Sequence, residues 1–248
     1  MPQPPKILLT NDDGIHSPGL KALEGALAGL GEILVVAPDS ERSGASHGLT
    51  LHAPLRIHRF DDCHFAISGT PADAVILALH HILSAPAAIC VSGINPGGNL
   101  GENVMYSGTV AAAMEATLHG VPGIAMSLAT RANQDFSWAA ATARQVVERV
   151  LRDGLPPGVM LNVNVPRGQP NGTRLTRQSQ KISQNIVLEK KDPRGRPYYW
   201  QDESVALDQV EPDSDYAAVL AQYVSITPLQ ADRTDYPSFK QISTWLQE

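Results

Sequence analysis

The chain has 248 residues, of which 43% are hydrophobic, and its formal net charge is −6. This length and this apolar content are sufficient for one large α/β domain with a sizeable core. The acidic balance, without any long block of lysine and arginine, argues against binding to long nucleic acids and leaves mononucleotides open as ligands.

Apolar strands and helices alternate along the first two-thirds of the chain. Short apolar runs predict strands at 7–10, 33–37, 64–68, 88–91, 124–128 and 160–165. Between them, helical spacing and helix-start residues predict helices at 18–30, 72–83, 109–119 and 136–151. Repeated β-α-β alternation of this kind predicts an α/β fold, in which a doubly wound and mostly parallel sheet carries helices on both faces.

The pattern changes after Pro166. Residues 174–200 are polar and β-leaning around a turn signal at 192–195, which predicts a β-hairpin arm with little core of its own. An isolated hairpin is marginally stable in water, and this one ends in Tyr199 and Trp200, which favour burial at interfaces. We therefore expect the arm to pack on another subunit, so that the protein is an oligomer. A mobile surface loop is the alternative.

The predicted elements belong to one domain. A strand at 224–229 and a helix at 238–246 follow the arm, and the chain contains no internal repeat and no low-complexity tract. We therefore predict a single α/β domain over residues 1–248, with a core at about 1–166 and a C-terminal arm and extension at about 167–248.

Two adjacent carboxylates, Asp12 and Asp13, follow the first predicted strand. Open α/β sheets bind ligands in the crevice at the carboxyl ends of their strands. Two anions this close repel each other, and a hard divalent cation relieves the repulsion because Mg²⁺, Mn²⁺ and Ca²⁺ all prefer oxygen ligands. The alternative is a solvated turn in which Gly14 supplies a positive φ.

Two further predicted strands end in polar loops of small residues, at 38–47 and 92–101. The fold can bring both loops to the same sheet edge as the aspartates. A serine hydroxyl and an asparagine amide oxygen then complete an all-oxygen site with two negative charges, which suits Mg²⁺ or Mn²⁺ with waters filling the shell. Arg42, in the first loop, is either a phosphate ligand or a surface charge.

Ser107 and Thr109 stand at the start of a predicted helix. Free N–H groups and the positive end of the helix dipole make such a start an anion site, and two hydroxyls there can donate to phosphate oxygens. Ordinary N-capping by Ser107 is the alternative interpretation.

The sequence contains no GxGxxG, GxxxxGK or HExxH motif. His16 and His47 are candidate general acids. A solvated loop histidine is the favoured interpretation of each, because neither has a visible orienting partner in the sequence.

The two cysteines, Cys63 and Cys90, form neither a CxxC pair nor a zinc-type spacing. Cys90 falls within an apolar run, which predicts a buried, reduced thiol. Residues 1–6 lack the apolar region of a secretory signal, and no apolar stretch approaches the length of a membrane span. We therefore expect a cytoplasmic protein without a membrane partner.

Seven stretches resemble, in order, the SurE family of survival-protein nucleotidases. The most specific in combination are Asn11-Asp12-Asp13-Gly14 and Tyr106-Ser107-Gly108-Thr109. The matching stretches are 7–14, 37–46, 69–73, 92–101, 106–115, 192–200 and 223–229. The resemblance therefore covers nearly the whole chain.

The resemblance implies a divalent-metal-dependent phosphatase that hydrolyses nucleoside 5′- or 3′-monophosphates to nucleoside and phosphate. The metal ligands carried over by motif are Asp12, Asp13, Ser43 and Asn95. The substrate-binding residues carried over are Asn99, Ser107, Gly108 and Thr109. We assign the catalytic role to Asp12 and Asp13, one of which can take the proton of the attacking water. Attack by an aspartate itself, through a covalent aspartyl-phosphate, is the alternative.

The resemblance also implies one divalent cation per subunit, Mg²⁺ or Mn²⁺ before Ca²⁺. It implies a Rossmann-like core and a C-terminal arm that is exchanged between the subunits of a homodimer or a homotetramer. Two other functional classes remain open: an exopolyphosphatase or other phosphomonoesterase with the same site, and a non-catalytic nucleotide sensor. A sensor would bind AMP without releasing phosphate.

Overall fold

The computed structural model describes residues 4–130, 132, 134–180, 183–205 and 210–247. The strands are β1 Lys6–Thr10, β2 Glu32–Pro38, β3 Ile57–Arg59, β4 His64–Ile67, β5 Ile89–Pro96, β6 Gly123–Leu128, β7 Val159–Val165, β8 Thr173–Leu175, β9 Ser183–Lys191, β10 Pro197–Val205 and β11 Val224–Gln230. The α-helices are α1 Pro18–Leu27, α2 Pro71–Leu77, α3 Gly108–Leu118, α4 Ser137–Asp153, α5 Asp215–Leu220 and α6 Phe239–Ser243. Within these ranges, no helix combines the length and apolar character that crossing a membrane requires.

The main sheet of the described chain has the strand order β3-β4-β2-β1-β5-β6-β7-β11-β8. The six strands from β4 to β7 are mutually parallel. At the edges, β3 runs antiparallel to β4, β11 runs antiparallel to β7, and β8 pairs parallel with β11. The predicted doubly wound, mostly parallel sheet is confirmed.

The direction of winding reverses at β1. From β1 the chain adds β2 and β4 on one side, and it then crosses to add β5, β6 and β7 on the other. Such a topological switch point opens a crevice at the carboxyl ends of the two strands that meet there. The crevice of this sheet therefore lies beyond the ends of β1 and β5.

Helices cover both faces of the central strands. On one face α1 and α4 pack on side chains such as Ile7 and Val91, and on the other α2 and α3 pack on Leu8 and Cys90. Strands buried on both faces have no polar side, which is why 7–9 in β1 and 89–91 in β5 read as continuous apolar runs. The prediction that Cys90 is buried is confirmed, and burial raises the pKa of its thiol to about 12.

The β-hairpin is a separate two-stranded antiparallel sheet of β9 and β10, with Lys191 opposite Pro197. The predicted hairpin is confirmed, and it extends to Val205 instead of ending at 200. Its aromatic side chains are exposed, with 61% of Tyr199 and 60% of Trp200 accessible to solvent. In a single chain the hairpin thus presents apolar surface to solvent.

Three short elements were not predicted as they occur. The strand β3 is exposed throughout, so it has no apolar period to detect. The strand β8 falls inside the predicted arm but joins the main sheet beside β11. The helix α5 has only six residues, a length at which periodicity gives little signal.

Several boundaries also differ from the predicted ones. The predicted helix at 72–83 ends as α-helix at Leu77 and continues as a π-turn over Ala78–Ile82. The predicted helix at 238–246 consists of α6 flanked by two 3₁₀ turns, Tyr236–Ser238 and Thr244–Gln247. The strand predicted at 88–91 extends to Pro96, so that Asn95 lies on β5 rather than in the following loop.

Candidate active site

The turn after β1 is organised by a buried asparagine. The side-chain amide of Asn11 donates to the carbonyl oxygen of Gly14 at 3.0 Å and to the Ser17 hydroxyl at 2.7 Å, and its oxygen accepts from the Gly14 N–H at 3.2 Å. Gly14 has a φ of +98°, which a residue with a side chain rarely adopts. These contacts fix the turn that carries Asp12 and Asp13 into the crevice.

Asp12 is a buried carboxylate, with 5% of its surface accessible. Its Oδ1 accepts a hydrogen bond from the Thr109 hydroxyl at 2.5 Å. Burial raises the pKa of Asp12, and the hydrogen bond from Thr109 opposes that shift. A desolvated carboxylate is stabilised by a nearby cation, so the position favours a positively charged ligand.

The N-terminus of α3 lies directly against Asp12. A Cβ atom on Gly108 would be 2.8 Å from the Asp12 Cβ and 3.1 Å from its Oδ2. Ser107 caps the helix, since its hydroxyl oxygen accepts from the Val110 N–H at 3.1 Å. The absence of a side chain at Gly108 therefore lets a helix start, an anion-binding element, approach the two aspartates.

Asn95 lies near the end of β5, where the strand is irregular. Its register against β6 shifts between Ser92 and Asn95, and bulges of this kind re-aim side chains near functional sites. A Cβ atom on Gly93 would lie 2.3 Å from the Met126 carbonyl oxygen, so this position requires glycine. The Asn95 amide nitrogen donates to the Gly97 carbonyl at 2.8 Å.

Ser43 lies in the loop after β2 and is exposed. Its hydroxyl donates to Glu41 at 2.8 Å, and the N–H of Arg42 donates to the Asp12 carbonyl oxygen at 2.7 Å. The loop is thereby joined to the first aspartate. The guanidinium of Arg42 pairs with Asp39 at 3.3 Å, which favours the surface-charge interpretation of this arginine.

Asn99 is held by a buried network of amides. Its N–H donates to Asn164 Oδ1 and its side-chain amide to the Ser127 hydroxyl, both at 2.8 Å. Its carbonyl oxygen accepts from the side chains of Asn162 and Asn164 at 2.8 and 3.1 Å. The sequence signal for these partners was present, because Asn162 and Asn164 alternate in an otherwise apolar strand, but they were not predicted as site residues.

A cavity of about 1090 Å³ opens at this edge of the sheet. Six of the predicted site residues line it: Asp12, Asp13, Ser43, Asn95, Asn99 and Ser107. Gly108 and Thr109 are not among its lining residues, and Thr109 is fully buried against Asp12. Asp202 of the hairpin and Tyr216 of α5 also line the cavity, and neither was predicted as a site residue.

The two candidate histidines separate in the structure. His16 is exposed and lines the cavity. His47 is half-buried and lines a different cavity, and its Nε2 lies 2.6 Å from Glu115 Oε2. The interpretation of His47 as a solvated histidine without an orienting partner is therefore wrong, because α3 supplies that partner.

The donors at the crevice are all oxygen atoms. Asp12 and Asp13 provide carboxylates, Ser43 a hydroxyl and Asn95 an amide oxygen, and this chemistry fits a hard divalent cation. Across the described ranges, no cluster of three or more His, Cys, Asp or Glu side chains is arranged to hold a metal ion. A cation here would therefore depend on two carboxylates supplemented by neutral oxygen donors.

Thr109 gives a direct test of how Asp12 is held. Replacing Thr109 with valine should lower kcat about 10- to 100-fold, since a hydrogen bond to a charged group contributes about 1.5–3 kcal/mol. Replacement with serine keeps the hydroxyl and should retain activity. Steady-state kinetics on a phosphate monoester measures both. A raised KM with an unchanged kcat in the valine variant would instead indicate that Thr109 contacts the phosphate.

A switch-point crevice lined by two carboxylates, with a helix N-terminus packed against the first of them, is typical of α/β proteins that bind ligands at the carboxyl ends of their strands. The family model described as "Survival protein SurE" matches residues 7–185. With 248 residues in the chain, this match spans more than half of it. The protein therefore belongs to the SurE family.

Similar proteins match over nearly their full length. A "5′-nucleotidase SurE" of Syntrophotalea carbinolica is 48% identical over 247 residues, which cover 96% of each chain. One from Myxococcus xanthus is 48% identical over 246 residues, covering 98% of this chain and 94% of its own. The crystal structure of the SurE protein from Aquifex aeolicus matches with a TM-score of 0.89 and 41% identity, covering 98% of this chain and 100% of that one.

Proposed function

We propose that this protein is a divalent-metal-dependent phosphatase that hydrolyses nucleoside monophosphates, as a 5′- and/or 3′-nucleotidase. The observation that carries the proposal is the buried Asp12 carboxylate at the switch point, with the start of α3 packed against it. This arrangement supports a cation site beside an anion site. The relatives named 5′-nucleotidase support the choice of nucleotides as substrate.

In this proposal one divalent cation per subunit is held by Asp12, Asp13, Ser43 and Asn95. Mg²⁺ and Mn²⁺ suit these oxygen donors best, and Ca²⁺ is a weaker candidate. When bound, the cation supplies Lewis acidity toward the phosphoryl group. One of the two aspartates accepts the proton of the attacking water.

The start of α3 binds the phosphate. The Ser107 hydroxyl and the positive end of the helix dipole stabilise the charged phosphoryl oxygens as the bond to the leaving oxygen breaks. Asn99, fixed by its amide network on the wall of the same cavity, is the further substrate-binding residue of this proposal. Thr109 acts mainly through Asp12, which it orients, and Gly108 admits the helix to the site.

A substrate panel tests the function. Phosphate release is measured from AMP, GMP, 3′-AMP, inorganic polyphosphate and p-nitrophenyl phosphate, each with Mn²⁺ or Mg²⁺ and with EDTA, and AMP binding is measured by calorimetry. We expect the highest kcat/KM on a nucleoside monophosphate and no turnover in EDTA. Preference for polyphosphate would favour a different phosphatase, and AMP binding without phosphate release would identify a sensor.

We also propose that the protein is a homodimer or homotetramer in which the β9–β10 hairpin supplies much of the contact. The exposed Tyr199 and Trp200 support this, because interfaces are enriched in such residues. Exchange of an identical element between subunits buries the hairpin at low cost.

Deleting residues 184–204 and joining the ends with a short glycine linker should shift the mass in light scattering towards the monomer. The deletion removes the hairpin and leaves Gln178, which donates to the Gly101 carbonyl at 2.7 Å, in place. A second variant, with serine at Tyr198, Tyr199 and Trp200, keeps the hairpin and should weaken association as well. Wild-type mass in both variants would exclude the hairpin as the main contact.

A further inference from the structure

The loop that carries Ser43 is attached on both sides of that residue. On one side, the N–H of Arg42 donates to the Asp12 carbonyl at 2.7 Å. On the other, the N–H of Ser46 donates to the Tyr106 carbonyl oxygen at 3.1 Å. Ser43 itself is exposed and its hydroxyl donates within the loop, so its position depends on these flanking attachments.

The residue after Ser46, His47, makes a third contact, to a buried carboxylate. Glu115, on α3, is only 7% accessible and contacts two histidines, one at each carboxylate oxygen. Its Oε2 lies 2.6 Å from His47 Nε2, and its Oε1 lies 3.1 Å from His119 Nε2. His119 caps the C-terminus of the same helix, whereas His47 joins the helix to the loop.

The helix that holds His47 is the one that begins at the candidate phosphate site. Glu115 lies on α3 downstream of Ser107 and Thr109, and Thr109 orients Asp12. The contact between His47 and Glu115 therefore links the Ser43 loop to the element that fixes Asp12. His47 lines a separate cavity of about 450 Å³ and not the crevice that holds Asp12 and Asp13. It therefore acts on the crevice through Glu115.

We propose that His47 is a positioning residue for the cation site: through Glu115 it holds the loop so that Ser43 lies beside Asp12 and Asp13. The proposal rests on the proposed function, in which Ser43 is a ligand of the cation. Residues that orient metal ligands from outside the coordination shell typically contribute 10- to 100-fold to metal affinity. Loss of the contact should therefore weaken cation binding while the protein keeps its fold.

The test is a titration of the full-length protein with Mn²⁺ alone, in which free Mn²⁺ is measured by electron paramagnetic resonance. We expect His47→Ala to bind Mn²⁺ about tenfold more weakly than wild type. His47→Gln can still donate to Glu115 and should restore most of the affinity. His119→Ala removes the other histidine from the same carboxylate and should bind Mn²⁺ as wild type does. Unchanged affinity in His47→Ala, or equal losses in His47→Ala and His119→Ala, would overturn the proposal.

Thermal unfolding checks that the variants fold. If His47→Ala does not fold, Glu115→Gln is used in its place. We expect Glu115→Gln to bind Mn²⁺ more weakly than His119→Ala does. Equal Mn²⁺ affinity in these two variants would overturn the proposal. Because the titration contains no nucleotide, its result is separate from that of the substrate panel. Mn²⁺ binding by wild type without phosphate release would overturn the proposed phosphatase function and leave the proposed role of His47 intact. Absence of Mn²⁺ binding by wild type would overturn both proposals.

Discussion

Asp12→Asn and Asp13→Asn should each lower kcat on a nucleoside monophosphate about 10³-fold. Each change removes a negative charge that the cation requires, and Lewis-acid assistance by a metal contributes several kcal/mol to catalysis, about 4 kcal/mol for a factor of 10³. Asparagine has nearly the same shape as aspartate, so the packing around the turn is retained. Initial rates of phosphate release at saturating Mn²⁺ measure the effect.

Asp62→Asn is the matched control, because it makes the same chemical change at a carboxylate whose side chain is 91% accessible. It should keep wild-type turnover. We also expect Asp12→Asn to keep or raise the midpoint of thermal unfolding, since a buried carboxylate costs free energy that a neutral amide does not. Wild-type turnover in both Asp12→Asn and Asp13→Asn would contradict the assignment of these residues.

Replacing Gly108 with alanine should lower kcat/KM about 10²-fold, because displacing a reacting group by about 1 Å costs that much. The new Cβ atom would meet the Asp12 Cβ at 2.8 Å, so either α3 or the carboxylate must move. The expected loss includes weaker Mn²⁺ binding, which the same titration as above measures.

Gly25→Ala is the control for this substitution. Gly25 lies on α1, where an added Cβ atom would meet no neighbouring atom within 4 Å, and alanine favours helix formation. We expect Gly25→Ala to keep full activity and to raise stability slightly. If Gly108→Ala were as active as Gly25→Ala, close approach of α3 to Asp12 would not be required for catalysis.

The central sheet could be predicted from sequence because its strands are buried on both faces. A strand such as β1 has no polar positions in its centre, so the apolar run Ile7-Leu8-Leu9 marks it directly. The same rule placed Asp12 and Asp13 at the carboxyl end of a strand. That the two strands at the switch point are β1 and β5 depends on the order of the strands, which the alternation of elements does not specify.

The partners of the site residues could not be predicted, because they come from distant parts of the chain. Thr109 and Asp12 are separated by 97 residues, and His47 and Glu115 by 68. In the sequence, Thr109 is indistinguishable from a phosphate ligand at a helix start, and His47 from a loop histidine. Only the packing of α3 beside the turn after β1 and the loop after β2 shows which side chains Thr109 and His47 contact.

The candidate ligands Ser43 and Asn95 illustrate a different limit. Reasoning from residue types predicted a serine and an asparagine from two polar loops, but each loop offers several such residues. The resemblance to the family selected the two positions. The structure places both on the wall of one cavity with Asp12 and Asp13, and their role as ligands stays a prediction.

Anomalous diffraction from a crystal grown with Mn²⁺ and phosphate tests the central claim most directly. We predict a manganese peak within about 2.0–2.6 Å of carboxylate oxygens of both Asp12 and Asp13, the range for hard cations and oxygen ligands. Phosphate should lie between that peak and the start of α3 at Ser107. Manganese bound only elsewhere, with the crevice empty at millimolar Mn²⁺, would contradict the account.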